Sequence, residues 1–297
     1  AWYRDAGESH ALAWMQARGR RGFAAWDAPG SFAHIIVALA HLIDFAESEK
    51  VWDLASVTLD KILFTLAVNT FEGSFGASHA AVSTEAIKSA LLKPTSGITR
   101  LLWGAGIFNR HIAGVVSLAC LENYEFPSLI RDIATAAPPA VWNKERHLLT
   151  DTTAPSDADA IDKVTYITPD TMLGSAQDYR AGARGGSEHL WQAGLGPEAV
   201  VSVNHPANAV TAGDHIPNFW LGNGARPRIA QHGDALIALY DLTRHDHRMA
   251  FTHAYFPIYA FDDYALRQNE AGQTWAFARK GDGYIGLTAS QPITLLE

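Results

Sequence analysis

The sequence predicts an α+β protein, with a helical domain over residues 1–140 followed by an antiparallel β-sandwich domain over residues 141–297. Before about residue 140, apolar residues recur every three or four positions, the period of a helix buried on one side. Beyond about residue 162 they alternate, or form short β-branched and aromatic runs broken by Gly, Asn, Asp and Pro. Helical and strand patterns do not alternate along the chain, so no parallel βαβ sheet is expected.

Ala13, Trp14 and Ala17 suggest a first helix. After the Pro29-Gly30 break, Phe32, Ile35, Ile36, Leu39, Leu42, Ile43 and Ala46 form one stripe. Glu47-Ser48-Glu49 interrupts it, and Trp52, Ala55, Leu59, Ile62, Leu63 and Leu66 form the next. Two long stripes with so short a polar link predict an antiparallel αα-hairpin. Thr95 and Ser96 can cap a helix through Ile98, Leu101 and Leu102 that ends at Gly104, and Val115–Leu121 and Leu129–Ala134 suggest two more. Successive hairpins of this kind fit part of an α/α toroid better than a four-helix bundle.

Ala136-Ala137-Pro138-Pro139-Ala140 and the polar tract Thr150–Asp162 bracket the expected boundary. Strands are predicted over Val164–Ile167, Glu188–Ala193, Ala199–Asn204, Ala235–Tyr240, Arg248–Tyr255, Thr274–Arg279 and Tyr284–Thr288. Turn signals at Asn269-Glu270-Ala271-Gly272 and Gly281-Asp282-Gly283 make the last of them a meander. The chain opens on Ala1-Trp2-Tyr3-Arg4-Asp5 and closes on what reads as a strand in progress, Pro292–Glu297. A piece of a longer or processed polypeptide is expected, and localisation stays open.

With 297 residues, 48% apolar and 18% charged, the composition is that of a soluble globular protein large enough for two cores. Apolar stretches such as Ile35–Leu39 are far too short to span a membrane. A net charge of −8 argues against nucleic acid as the main partner. The single cysteine, Cys120, excludes an internal disulfide and a cysteine zinc cluster, and its apolar surroundings predict a buried, inert thiol.

Nucleotide loops, the Gly-x-Ser-x-Gly elbow and the His-Glu-x-x-His helix are absent, and no cofactor is predicted. Gly182-Ala183-Arg184-Gly185-Gly186 lies between strands and reads as a mobile loop rather than a phosphate cradle. Among thirteen histidines, His245-Asp246-His247 has the spacing of a metal pair but sits in a polar hairpin tip, so no metal site is assigned. His79 follows a long helix in a glycine-rich stretch, an expected exposed rim. His205 stands at a strand end, and alternation puts Phe251, His253 and Tyr255 on one strand face. Asn218, Trp220, Asn223, Arg226 and Arg228 bring amides, an indole and guanidinium groups together, the donors a hydroxylated, carboxylate-bearing ligand needs.

In layout, helical hairpins followed by an antiparallel β domain resemble the polysaccharide lyases built from an (α/α) toroid and a β-sandwich, which act on chondroitin, hyaluronate, heparin and alginate. Ala278–Leu287 resembles sandwich strands of the heparinase II/III-like families. Together with Phe251–Asp263 it also resembles uncharacterised bacterial proteins of that build. The resemblance covers most of the chain in layout and short segments in residues. It implies a polysaccharide or oligosaccharide substrate, cut at a uronate by β-elimination in the interdomain cleft. In many such lyases an Asn and a His of the toroid precede a catalytic Tyr. Asn69 and His79 match the first two, whereas the next tyrosine is Tyr124, so Tyr255 or a segment outside this chain would supply the base. The resemblance thus implies a site in which His79 faces the sheet across a groove holding residues 218–228 or His253. A glycoside hydrolase, with Asp262 and Asp263 or Glu72 and Glu188 as its carboxyl pair, and a non-catalytic glycan-binding or structural module are the alternatives. Oligomeric state is not readable from the sequence.

Overall fold

The two apolar stripes form neighbouring helices. A computed structural model describes residues 2–150, 159–211, 213, 215–242 and 249–296. Helix α1 spans Trp2–Arg21, α2 Pro29–Phe45 and α3 Glu49–Val68. Pro29 sits in the first turn of α2, where a missing N–H costs nothing. Phe32, Ile36, Leu39 and Ile43 of α2 share one buried cluster with Ala55, Leu59, Ile62 and Leu66 of α3. Each of the large ones contributes about 1.5–3 kcal/mol by leaving water, so this hairpin is the centre of the helical half.

Helix α4 is a short turn, Thr84–Lys88, that the apolar pattern does not reveal. Its N-terminus is capped by Ser83 Oγ, which accepts from the Ala86 N–H at 3.3 Å. Helix α5, Ser96–Trp103, ends as predicted at Gly104, whose φ of 82° is the left-handed conformation that terminates helices. Helices α6, Ala113–Ala119, and α7, Ser128–Thr135, add Val115, Leu118 and Ile130 to the same core.

Cys120 corrects one expectation. It is exposed at the end of α6, because Val115, Leu118 and Leu121 take the inward positions. The native protein should therefore react with a thiol-specific reagent at one equivalent without denaturant. Labelling that appears only on unfolding would contradict this placement.

Two short strands, β1 (Thr70–Phe71) and β2 (Ser74–Phe75), pair within the helical half. The last helix ends at Thr135 and the first long strand starts at Val141. Six antiparallel strands then form one sheet: β3 (Val141–Leu148), β4 (Ala160–Ile167), β5 (Met172–Gln177), β6 (Trp191–Gly194), β7 (Val200–Asn204) and β10 (His253–Tyr255). Their spatial order is β10-β7-β6-β5-β4-β3. A hairpin, β8 (Arg228–His232) and β9 (Ala235–Leu239), and a meander, β11 (Asp263–Gln268), β12 (Thr274–Lys280) and β13 (Gly283–Thr288), complete the β half. Beyond residue 162 the described residues hold antiparallel strand, turns and one three-residue 3-10 turn, Ile258–Ala260.

Several strands differ from expectation. Within Glu188–Ala193 the strand begins at Trp191, and among the described residues of Arg248–Tyr255 strand pairing begins at His253. Residues 243–248, with His245-Asp246-His247, lie outside the described residues. Strands β3, β5, β8 and β11 went unpredicted: Val-Trp-Asn-Lys-Glu-Arg-His-Leu and Met-Leu-Gly-Ser-Ala-Gln lack the β-branched density that marks a strand. The loop Gly182–Gly186, expected to be mobile, is tied by backbone hydrogen bonds from Gly182 to Arg226, Gly185 to Asn223 and Arg226 to Ala183.

Register decides what each sheet face carries. Asn143, Glu145 and His147 pair with Thr165, Lys163 and Ile161, and Thr165 and Lys163 pair in turn with Gly174 and Ala176. Residues paired in register project from one face. That face meets the helices, and following it through Gly174↔Gln192, Met172↔Gly194↔Val200 and β7 brings it to His253 and Tyr255, opposite Asn204 and Ser202. On the other face, Val201 packs with Phe261 and Ala278 of the meander region, and Trp191 with Ile229 of β8.

Candidate functional site

A charged seam joins helices to sheet. The Lys163 ammonium bonds Asp27 Oδ2 at 2.5 Å and Glu145 Oε1 at 3.2 Å, and the Lys163 and Asp27 side chains are wholly buried. Glu145 also accepts from Asn69 Nδ2 at 2.6 Å, Asn143 Nδ2 at 2.5 Å and His147 Nε2 at 2.9 Å. Burial works against the Glu145 carboxylate, but Lys163 and His147 outweigh it and hold the pKa well below the usual range. Burial also works against the Lys163 cation, and Asp27 and Glu145 together raise its pKa above the ordinary value.

Asn69 lies inside this seam. Its amide donates to Thr65 O and Glu145, and its Oδ1 accepts from Thr165 Oγ1 and Asn143 Nδ2, which satisfies the whole side chain. His79 is fully buried rather than on an exposed rim. Its Nδ1–H donates to Asp27 O at 2.6 Å, so Nε2 carries the lone pair and accepts from Lys93 Nζ at 3.0 Å. Gly76 makes room: at its φ of 69° a Cβ would fall 2.6 Å from the His79 ring. His79 does face the sheet, through paired backbone bonds with His189, but no groove separates them.

The other predicted residues divide in the same way. His205 is buried, with Nδ1 accepting from Ala225 N–H and Nε2 donating to Met249 O. Asn218 caps a turn, its Oδ1 accepting from Trp220 and Leu221 N–H, and Asn223 Oδ1 accepts from His205 N–H. Arg226 is bound to Glu188 at 2.6 Å, and Arg228 reaches Asp178 at 3.1 Å on the surface. These groups build the walls. They do not converge on open space.

Trp220, His253 and Tyr255 do converge, beside Lys88 of α4. The His253 imidazole stacks on the Trp220 indole with centroids 4.5 Å apart and planes 16° apart. The Lys88 ammonium lies 4.2 Å from the Trp220 ring centre and 5.5 Å from that of Tyr255. Tyr255 exchanges a hydrogen bond of 2.9 Å with the exposed Tyr259 hydroxyl. With an imidazole and an ammonium on its ring, Trp220 orients two polar groups rather than offering a bare stacking platform. Backbone and side-chain bonds hold the place: Ala90 N–H to Pro197 O, and Asn218 Nδ2 to Thr84 Oγ1 at 3.3 Å, pin the α4 segment over the sheet.

The electrostatics of this half-buried cluster are specific. His253 Nε2–H donates to Phe219 O at 2.7 Å, which leaves Nδ1 with the lone pair. Burial first, then the Lys88 charge, bring His253 down to about 4, so its imidazole is neutral at ordinary pH. Burial, then the bond with Tyr259 and the nearby Glu198 charge, raise the Tyr255 pKa and keep its proton in place. Burial lowers Lys88 from the ordinary lysine value. Among the described residues Lys88 has neither a carboxylate nor a hydrogen-bond acceptor within reach.

Sequence reasoning missed Lys88 because a five-residue helix is shorter than the window in which helical period shows; the Ser83 cap was its one local signal. It missed Tyr259 because the 3-10 turn after Pro257 brings the two hydroxyls together. Tyr124 donates to Asp60 at 2.6 Å in the helical core and is not at this groove. The carboxyl pairs weighed for hydrolysis are not there either: Glu188 is bound to Arg226, and Asp262 accepts from Gly281 N–H. Among the described residues no cluster of metal-ligating side chains occurs, and no helix is long and apolar enough to cross a membrane. Compared with known protein families, curated proteins and solved structures, the chain finds no match.

Proposed function

We propose that this chain is a carbohydrate-active, polysaccharide lyase-like protein, with a toroid-like helical part and a sandwich-like β part, that cuts uronate-containing glycans in the Lys88–His253–Tyr255 groove. One observation carries the reading: a half-buried ammonium without an anionic partner stands beside a neutral imidazole and a protonated phenol. Such a cation invites a carboxylate.

Elimination at a uronate uses these groups in order. Lys88 neutralises the carboxylate and so acidifies the C5 proton next to it. His253 Nδ1 takes that proton, and the C5–H electron pair becomes the C4–C5 double bond as the C4–O bond breaks. Tyr255 gives its proton to the departing oxygen, and solvent exchange restores both groups. Hydrolysis would need a pair of carboxyl groups flanking the bond, and Lys88, Trp220, His253, Tyr255 and Tyr259 supply neither, which supports elimination over the hydrolase alternative.

Elimination creates ultraviolet absorbance from the conjugated double bond, whereas hydrolysis creates only reducing ends. Incubated with a panel of uronate polysaccharides, the protein is expected to raise absorbance. His253→Ala and Tyr255→Phe should each lower the rate by about 10²–10⁴-fold, the usual share of an acid or base, and Lys88→Met should raise KM and lower kcat together, because it removes both the carboxylate's partner and the acidification of C5. The rate should fall with acid near pH 4 rather than near 6.5, the ordinary histidine value. Reducing ends without absorbance would favour the hydrolase, and binding with neither signal the non-catalytic module.

A further inference from the structure

We infer that the outer face of the β11–β13 meander is a second, non-catalytic site that grips an anionic polysaccharide chain. Register places Arg267, Trp275, Phe277, Arg279 and Tyr284 on that face, away from Ala276 and Ala278, which point into the core. The Trp275 and Phe277 rings are parallel to within 9°, with centroids 6.0 Å apart. The Phe277 ring leans over Gly286, its partner on β13, close enough that a Cβ there would touch it at 3.4 Å. Phe277 and Tyr284 are 43% and 68% exposed, a large apolar area for a sheet face to leave in water.

The chemistry of a ligand follows from what flanks the rings. Aromatic faces are electron-rich and attract the C–H bonds that line one side of a sugar ring. Arg267 and Arg279 bond only to the backbone carbonyls of Leu266 and Gly281 and form no ion pair, although the chain carries a net charge of −8. Asp263 stands opposite Arg279 in register without forming an ion pair with it, so two guanidinium groups outnumber one carboxylate beside the paired rings, which fits a polymer carrying one carboxylate per sugar. Single-stranded nucleic acid, the other polymer that rings and arginines can hold, presents phosphates rather than carboxylates, and the poly-dT arm of the test below separates the two. The choice of a uronate polymer rests on the reading of the groove, while the face is separate from it.

Affinity electrophoresis of the whole chain through gels containing polygalacturonate, dextran or poly-dT tests this. The expected result is retardation by polygalacturonate that weakens at least ten-fold in Trp275→Ala/Phe277→Ala. Arg267→Gln/Arg279→Gln should weaken it too and reduce its salt dependence, while His253→Ala keeps it. Initial rates on short oligouronates should be unchanged in the face variants, so a failure of the groove reading and a failure here are told apart. Retardation that survives both double variants, or no retardation by polygalacturonate, overturns the inference. So does equal, ring-dependent retardation by dextran, or stronger retardation by poly-dT. A change of sedimentation on loss of the rings, with unchanged retardation, would reassign the face to contact between copies of this chain.

Discussion

Replacing Lys163 with methionine is expected to cost about 3–5 kcal/mol of folding stability, the range for taking one partner from a buried charge pair. Asp27 and Glu145 would then face each other in the interface without a cation, and Asp27 is wholly enclosed. Urea denaturation gives the loss from the midpoint and slope. The double variant Asp27→Asn/Lys163→Met should recover part of it, because asparagine tolerates the left-handed backbone at this position (φ 44°) and carries no charge. A loss under about 1 kcal/mol, typical of a solvated pair, would show that the seam is not closed to water.

Stability is also expected to fall by about 2 kcal/mol between pH 7 and pH 5 on account of His189, with a further loss of the same sign from His79. Burial, then the Lys93 charge, lower His189 to about 3 and His79 well below its ordinary value. The unfolded chain takes up protons near 6.5 while the folded chain refuses them, so protons favour unfolding throughout that window. Glu145 adds to the loss in more acid solution, since its depressed pKa means that protonation removes a stabilising carboxylate. On the alkaline side the sign is the same. Burial lowers Lys93 to about 7, while an unfolded lysine stays protonated to about 10.4. Stability should therefore keep rising from pH 7 towards pH 9, where an ordinary protein has levelled off. Denaturant midpoints at pH 5, 7 and 9 measure both limbs, and His189→Gln should flatten the acid limb by about one proton. A maximum near pH 6 would contradict the burial of these groups.

Part of this was legible in the amino-acid order. The stripes of α2 and α3, the stop at Gly104 and the β12–β13 turn are local, because period and turn residues act over a few positions. The shared face of His253 and Tyr255 was legible for the same reason: alternation along a strand is fixed by backbone geometry. Strand β3 was not, since its inward face is Asn143, Glu145 and His147, which reads as solvent-facing until a partner for the charge is known.

That partner lies far along the chain. Asp27 and Lys163 are 136 positions apart, and only the stacking of α2's leading loop on β4 brings them together. His79 stood in a rim by sequence and in a sealed interface by packing, because a glycine-rich stretch can as well admit a ring as expose one. Lys88 reached the groove only because α4 is pinned above β10 by bonds to residues 197 and 218. Local order thus determined which segments are helix or strand and which way their side chains alternate. Tertiary structure alone decided which polar groups were buried with a partner and which, like Lys88, were left half-exposed without one, because desolvation depends on neighbours from distant parts of the chain.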